Sequence, residues 1–94
     1  MASPITIYCF PGQGSDHRIF ESLTVPSGYE IKVIEYGTPK KGMTMRDFAL
    51  QLSEEIDTTQ PFVLVGVSLG GMICAELNEI ISPKKTIIIS SAKN

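Results

Sequence analysis

The chain has 94 residues, 43% hydrophobic and 7% aromatic, with a formal net charge of -2 at pH 7. That length bounds it to one modest domain, residues 1–94. Eight basic residues against ten acidic ones, scattered without a basic stripe, argue against nucleic acid as a partner. No apolar run approaches the roughly 20 residues that cross a bilayer, so no membrane partner is expected. The opening stretch, MASPITIYCFPG, has neither a basic leader nor a long apolar segment, and the expected location is cytoplasmic. The two cysteines, Cys9 and Cys74, fall inside predicted regular elements without the spacing of a disulfide scaffold. They read as buried free thiols in a reducing compartment.

In chain order, PITIYCF (4–10) reads as a first strand, rich in Ile, Thr and Tyr. PGQGSDH (11–17) is a glycine-bearing loop, and 16–24 is expected to form a short helix carrying Ile19, Phe20 and Leu23. YEIKVIEY (29–36) is a second strand whose alternation places it near a sheet edge. GTPKKG (37–42) is a loop by composition, its two lysines most simply solvated. Thr44 followed by Asp47 resembles a capping box with Asp in place of Glu or Gln. Met45, Phe48, Ala49, Leu52 and Ile56 continue at helical spacing, so a second helix is expected over 45–57. FVLVGV (62–67) is a third strand, 69–81 a third helix, and KTIIISS (85–91) a fourth strand.

Strand and helix alternate, which predicts an α/β fold: a parallel sheet of about four strands with helices on both faces. The uninterrupted runs FVLVGV and TIIIS fit strands buried on both sides. Right-handed crossovers then favour the spatial order 2-1-3-4. That order has its switch point between strands 1 and 3, where ligands bind. The two glycine-rich segments of the chain, PGQGSDH and GVSLGG, follow those two strands. Topology therefore nominates both loops as parts of one site.

GVSLG (66–70) fits G-x-S-x-G between a predicted strand and a predicted helix, the setting of a nucleophile elbow. A sharp turn holds the serine in strained backbone, and Gly66 and Gly70 must be small where strand and helix approach. Ser68 Oγ would project above the strand ends. The N–H of Leu69 would face a developing oxyanion, with help from the helix dipole. A second donor is expected from the backbone N–H of Gln13 in PGQG, where Gly12 and Gly14 permit the turn.

On these motifs, FPGQGSDHRIF, GVSLGGM and TIIISS, residues 4 to 91 resemble the first half of an α/β-hydrolase core. FPG and GVSLGGMICAEL are most similar to its esterase- and thioesterase-type members. The resemblance implies a serine hydrolase acting on a small-molecule ester or thioester through an acyl-enzyme, with Ser68 as nucleophile and Gln13 and Leu69 as oxyanion donors. It implies no metal or organic cofactor. FPGQGS and SLGG also resemble malonyl-CoA:ACP acyltransferases. Those normally carry an acidic residue after SLG, where this chain has Gly71, and a larger insertion between the motifs.

In α/β-hydrolases the acid and histidine follow the serine. The 26 residues after Ser68 hold Glu76 and Glu79, both on the third helix, and no histidine. His17, the one histidine of the chain, sits in or next to the first glycine loop. It is the candidate base at that end of the sheet, set against the plainer reading of a partly exposed helix-start residue. Glu35 reads as a structural acid at the end of strand 2, and Cys74 as core packing. The strand 85–91, apolar with no helix after it, suggests either a longer parent hydrolase that supplies acid and histidine, or self-association through that strand. A non-catalytic α/β module is the remaining alternative.

Overall fold

The computed structural model describes residues 4–12 and 24–89. In it, β1 (Ile5–Phe10), β2 (Tyr29–Val33), α1 (Met45–Ser53), β3 (Phe62–Val67), α2 (Leu69–Ile80) and β4 (Lys85–Ile89) follow one another along the chain. The four strands form one sheet in the order β2-β1-β3-β4, and every neighbouring pair is parallel. The α/β class and the strand order are as the sequence predicts. The expected helix over 16–24 lies outside the described residues.

Parallel pairing gives each strand two chemically distinct faces. Tyr8, Phe10, Phe62 and Leu64 point to the face that receives Phe48, Ala49 and Leu52 of α1 and Ile73, Cys74 and Leu77 of α2. Both described helices thus cover the same face. The opposite face gathers Cys9, Val63 and Val65, with Ile7, Ile31, Val33 and Val67 packed against them. β3 has its first five residues buried, as a central parallel strand should be.

Local chemistry accounts for the helix boundaries. Thr44 Oγ1 accepts from the Asp47 N–H at 3.0 Å, while the Thr44 N–H donates to Asp47 Oδ2 at 3.4 Å, so the capping box is present. α1 ends at Ser53, four residues before the expected limit. The next three amides, Glu54, Glu55 and Ile56, donate to carbonyls three residues back, so the final turn tightens into 3₁₀ geometry. Ile56 stays buried through that tighter turn, which is why the apolar spacing runs past the helix itself. β2 stops at Val33 instead of continuing to residue 36, because its partner β1 ends at Phe10 before Pro11. The Ile34 N–H still reaches the Cys9 carbonyl at 2.8 Å.

β4 departs most from expectation. TIIIS reads as a strand buried on both faces, yet Ile87, Ile88 and Ile89 are 40%, 51% and 47% exposed. The strand order explains this: β4 is an outer strand, and among the described residues only α2 lies over part of it.

Candidate active site

Ser68 sits at the junction of β3 and α2, with φ 57° and ψ -117°. It is the one described non-glycine residue with positive φ. That conformation costs an L-residue on the order of 1–3 kcal/mol and persists only where the surroundings impose it. Here three glycines impose it. A Cβ on Gly66 would stand 2.7 Å from the Gly71 nitrogen and closer still to the Gly70 carbonyl. One on Gly70 would stand 2.7 Å from the Phe10 carbonyl carbon and 2.9 Å from the Pro11 oxygen. One on Gly71 would meet Ile88 Cγ2 at 2.7 Å. The strand, the helix and the end of β1 therefore meet at backbone distance, and the chain must turn sharply through Ser68 to allow it.

The turn determines what the serine hydroxyl does. Serine is a favoured N-cap because its oxygen normally accepts from an amide two or three positions into the helix. Ser68 occupies the N-cap of α2 but makes no such side-chain bond, since its backbone is not in the extended region that capping needs. Its carbonyl instead accepts from Gly71 and Met72 at 2.8 and 3.2 Å, and its N–H donates to the Ile89 carbonyl at 3.0 Å. The backbone of Ser68 is pinned on both sides, while its residue surface is exposed.

The Leu69 N–H is the first of α2 and has no acceptor within the helix. The first turn of α2 carries no acidic residue, so the partial positive charge at this helix end is not offset from within its own first turn. A negative charge developing near Ser68 Oγ would feel both.

The start of the first glycine loop, Pro11 and Gly12, meets the second. Phe10 and Pro11 pack against Gly70, and the Tyr36 hydroxyl donates to the Pro11 carbonyl. Pro11 and Gly12 are buried there. Sequence reasoning missed Tyr36 as the clamp on this loop, since no local pattern signals a contact across 25 residues. Gln13 and His17 lie outside the described residues.

Beside Ser68 opens a cleft of about 510 Å³ lined by Leu69, Gly71, Met72, Ala75, Ile88 and Ile89. Ser68, Met72 and Ala75 are spaced i, i+4 and i+7 and share one face of α2. That spacing was readable, but the opposing wall depends on β4 standing beside β3. Glu76 is engaged elsewhere, 3.8 Å from Arg46 on α1, and no titratable side chain among the described residues lines the cleft. Cys74, six residues past the serine, is fully buried in the core, and burial pushes its thiol up to about 12. Cys9 is raised to about 11 for the same reason. Neither thiol is available as a nucleophile. No group of His, Cys, Asp and Glu among the described residues could hold a metal, and none of the described helices is long and apolar enough to cross a membrane.

No protein-family model, curated protein or solved structure matches this chain.

Proposed function

We propose that Ser68 is the nucleophile of a serine hydrolase site acting on an ester or thioester, in keeping with the α/β-hydrolase resemblance of its motifs. The observation that carries the reading is the backbone of Ser68. A strained, glycine-enforced turn holds an exposed serine at the positive end of α2 without letting its hydroxyl cap that helix. A turn that served only to start a helix would use the relaxed, capped serine.

In the proposed reaction Ser68 Oγ bonds to the carbonyl carbon, and the carbonyl oxygen takes up the negative charge. The Leu69 N–H stabilises that charge, with the Gln13 N–H as the second donor suggested by the sequence. Collapse breaks the C–O or C–S bond, and the leaving alcohol or thiol departs with the serine's proton. Water then cleaves the acyl-enzyme, releasing the acid and restoring the hydroxyl. The chemistry calls for no metal or organic cofactor.

A base that takes the serine proton accelerates both steps, and none stands among the described residues of the cleft. His17, outside the described residues, is the one candidate base in the sequence; without a base, turnover is expected to be slow, with oxyanion stabilisation and binding as the residual contributions. A fluorophosphonate probe, which reads the first step alone, is the appropriate test when applied to the longest native form of the protein. A single adduct on that folded protein, lost in Ser68→Ala, supports the hydrolase reading. No adduct leaves a non-catalytic α/β module.

A further inference from the structure

The cleft beside Ser68 is chemically one-sided. Leu69, Gly71, Met72 and Ala75 of α2 line it on one side and Ile88 and Ile89 of β4 on the other, with the Ile88 side chain on the α2 face of the sheet. Among the described residues no charged side chain lines it. Met72 is 57% exposed and Ile88 51% exposed, and contiguous apolar surface of this kind marks ligand-binding grooves.

Three details tie this surface to the serine. The Ser68 N–H bonds to the Ile89 carbonyl at 3.0 Å, so β4 is fastened beside the nucleophile. Gly66 pairs with Ile88 in the β3–β4 register, which directs Ile88 to the face where α2 lies. Gly71 then brings α2 against Ile88, whose Cγ2 occupies the space a side chain would need. Met72 and Ala75 continue the helix face away from Ser68. The result is an apolar trough with the nucleophile at its head.

We propose that this trough binds the acyl chain of the substrate, and that the chain is aliphatic and uncharged. The proposal rests on the reading of Ser68 as nucleophile, because the tether at Ser68 is what selects an acyl chain as occupant. A carboxylated or cationic acyl group would lose hydration in the trough without gaining a partner. With the acyl chain in the trough, the leaving group departs away from it, so the trough sets acyl specificity and not leaving-group specificity.

The test is labelling of the full chain by alkyl phosphonofluoridates that differ only in the alkyl group, ethyl, butyl and octyl, below their aggregation concentrations. Ser68 Oγ bonds to phosphorus, the P–F bond breaks, and fluoride leaves with the serine's proton. Full burial of one methylene corresponds to about fourfold, and an open trough should yield about twofold. The second-order rate constant should therefore rise by tens-fold from ethyl to octyl. Ala75→Trp, which fills the trough, and Met72→Asp, which charges it, should each lower the octyl-to-ethyl ratio by about tenfold. Both positions are solvent-facing on α2, and circular dichroism verifies the fold of each variant. Labelling by all three probes at one rate, or a ratio unmoved in both folded variants, overturns the acyl trough while leaving the nucleophile in place. Labelling by none of the probes overturns the nucleophile and the trough with it.

Discussion

Gly70 of α2 rests against the carbonyl groups of Phe10 and Pro11, at a separation that leaves no room for a Cβ. This contact joins the end of β1 to the start of α2, and so brings Pro11, where the first glycine loop begins, against the turn that holds the serine. It is a backbone-to-backbone contact, and neither side can give way as a flexible side chain would. Gly70→Ala is therefore expected to destabilise the fold by about 3 kcal/mol or more, by overpacking against main chain. Gly66→Ala should behave similarly, because its Cβ would meet Gly70 and Gly71 backbone. Urea denaturation of both variants beside the parent checks this. A change below 1 kcal/mol in either would show that the three segments are not in backbone contact.

The strain at Ser68 has a separate signature. Glycine accepts φ 57° and ψ -117° far more readily than any residue with a Cβ. Ser68→Gly should stabilise the fold by about 1–2 kcal/mol as the strain is relieved, offset in part by the greater freedom of unfolded glycine. Ser68→Ala keeps the Cβ and should leave stability within about 0.5 kcal/mol, since the hydroxyl makes no capping bond. For a domain of this size, 1 kcal/mol moves Tm by roughly 4–8 °C, well within reach of a thermal scan.

Buried thiols set the alkaline limit. Cys9 and Cys74 are held protonated in the fold, at about 11 and about 12, and desolvation is the main cause in both. Burial raises the Tyr36 hydroxyl as well. A folded-state pKa above the unfolded value contributes stability that is complete below the unfolded thiol pKa of about 8.5. That contribution is lost as pH climbs through the folded values. Stability should thus be flat from pH 6 to 8 on account of these groups and fall between pH 9 and 12. On the acid side, Asp57 is lowered by hydrogen bonds from the Thr59 hydroxyl and N–H, and its smaller contribution fades as pH drops below about 4. Equilibrium unfolding at a series of pH values reads both limbs. A native chain whose two thiols react with a thiol reagent at pH 8 as fast as an unfolded one would contradict their burial.

β4 carries a third consequence. It is an outer strand with Ile87 and Ile89 exposed on the face away from α2, and its far edge has no partner strand among the described residues. Such an edge favours pairing with another chain. Ile87→Lys should reduce self-association, seen by sedimentation velocity over a range of concentrations, without lowering Tm. Equal sedimentation of parent and variant at every concentration would rule out β4 as an associating surface.

Much of this was legible in the sequence because local chemistry and global topology agree. The Thr44–Asp47 capping box, the apolar run of β3 and the two glycine loops each point to a single structure, and the order β2-β1-β3-β4 follows from their alternation. The misses share a cause. The end of α1 at Ser53 is decided by a tightening of hydrogen bonds that leaves Ile56 in the core, which apolar spacing cannot distinguish from a longer helix. The exposure of Ile87–Ile89 depends on what stands beyond β4, and a run of isoleucines carries no information about that. The Tyr36 clamp on Pro11 is a long-range contact with no periodic trace. At the site, GVSLG announced the turn and its glycines, whereas the trough of Met72, Ala75 and Ile88 needed the β3–β4 register to be seen.

The central claim is that the fold, and not the mere presence of a hydroxyl, makes Ser68 reactive. Site-resolved mass spectrometry after fluorophosphonate treatment tests it directly, comparing native chain with chain held in urea. The account predicts label on Ser68 alone in the native chain, none in Ser68→Ala, and loss of the selectivity in urea. Label spread evenly over several serines, or the same pattern in urea as in the native chain, would contradict it.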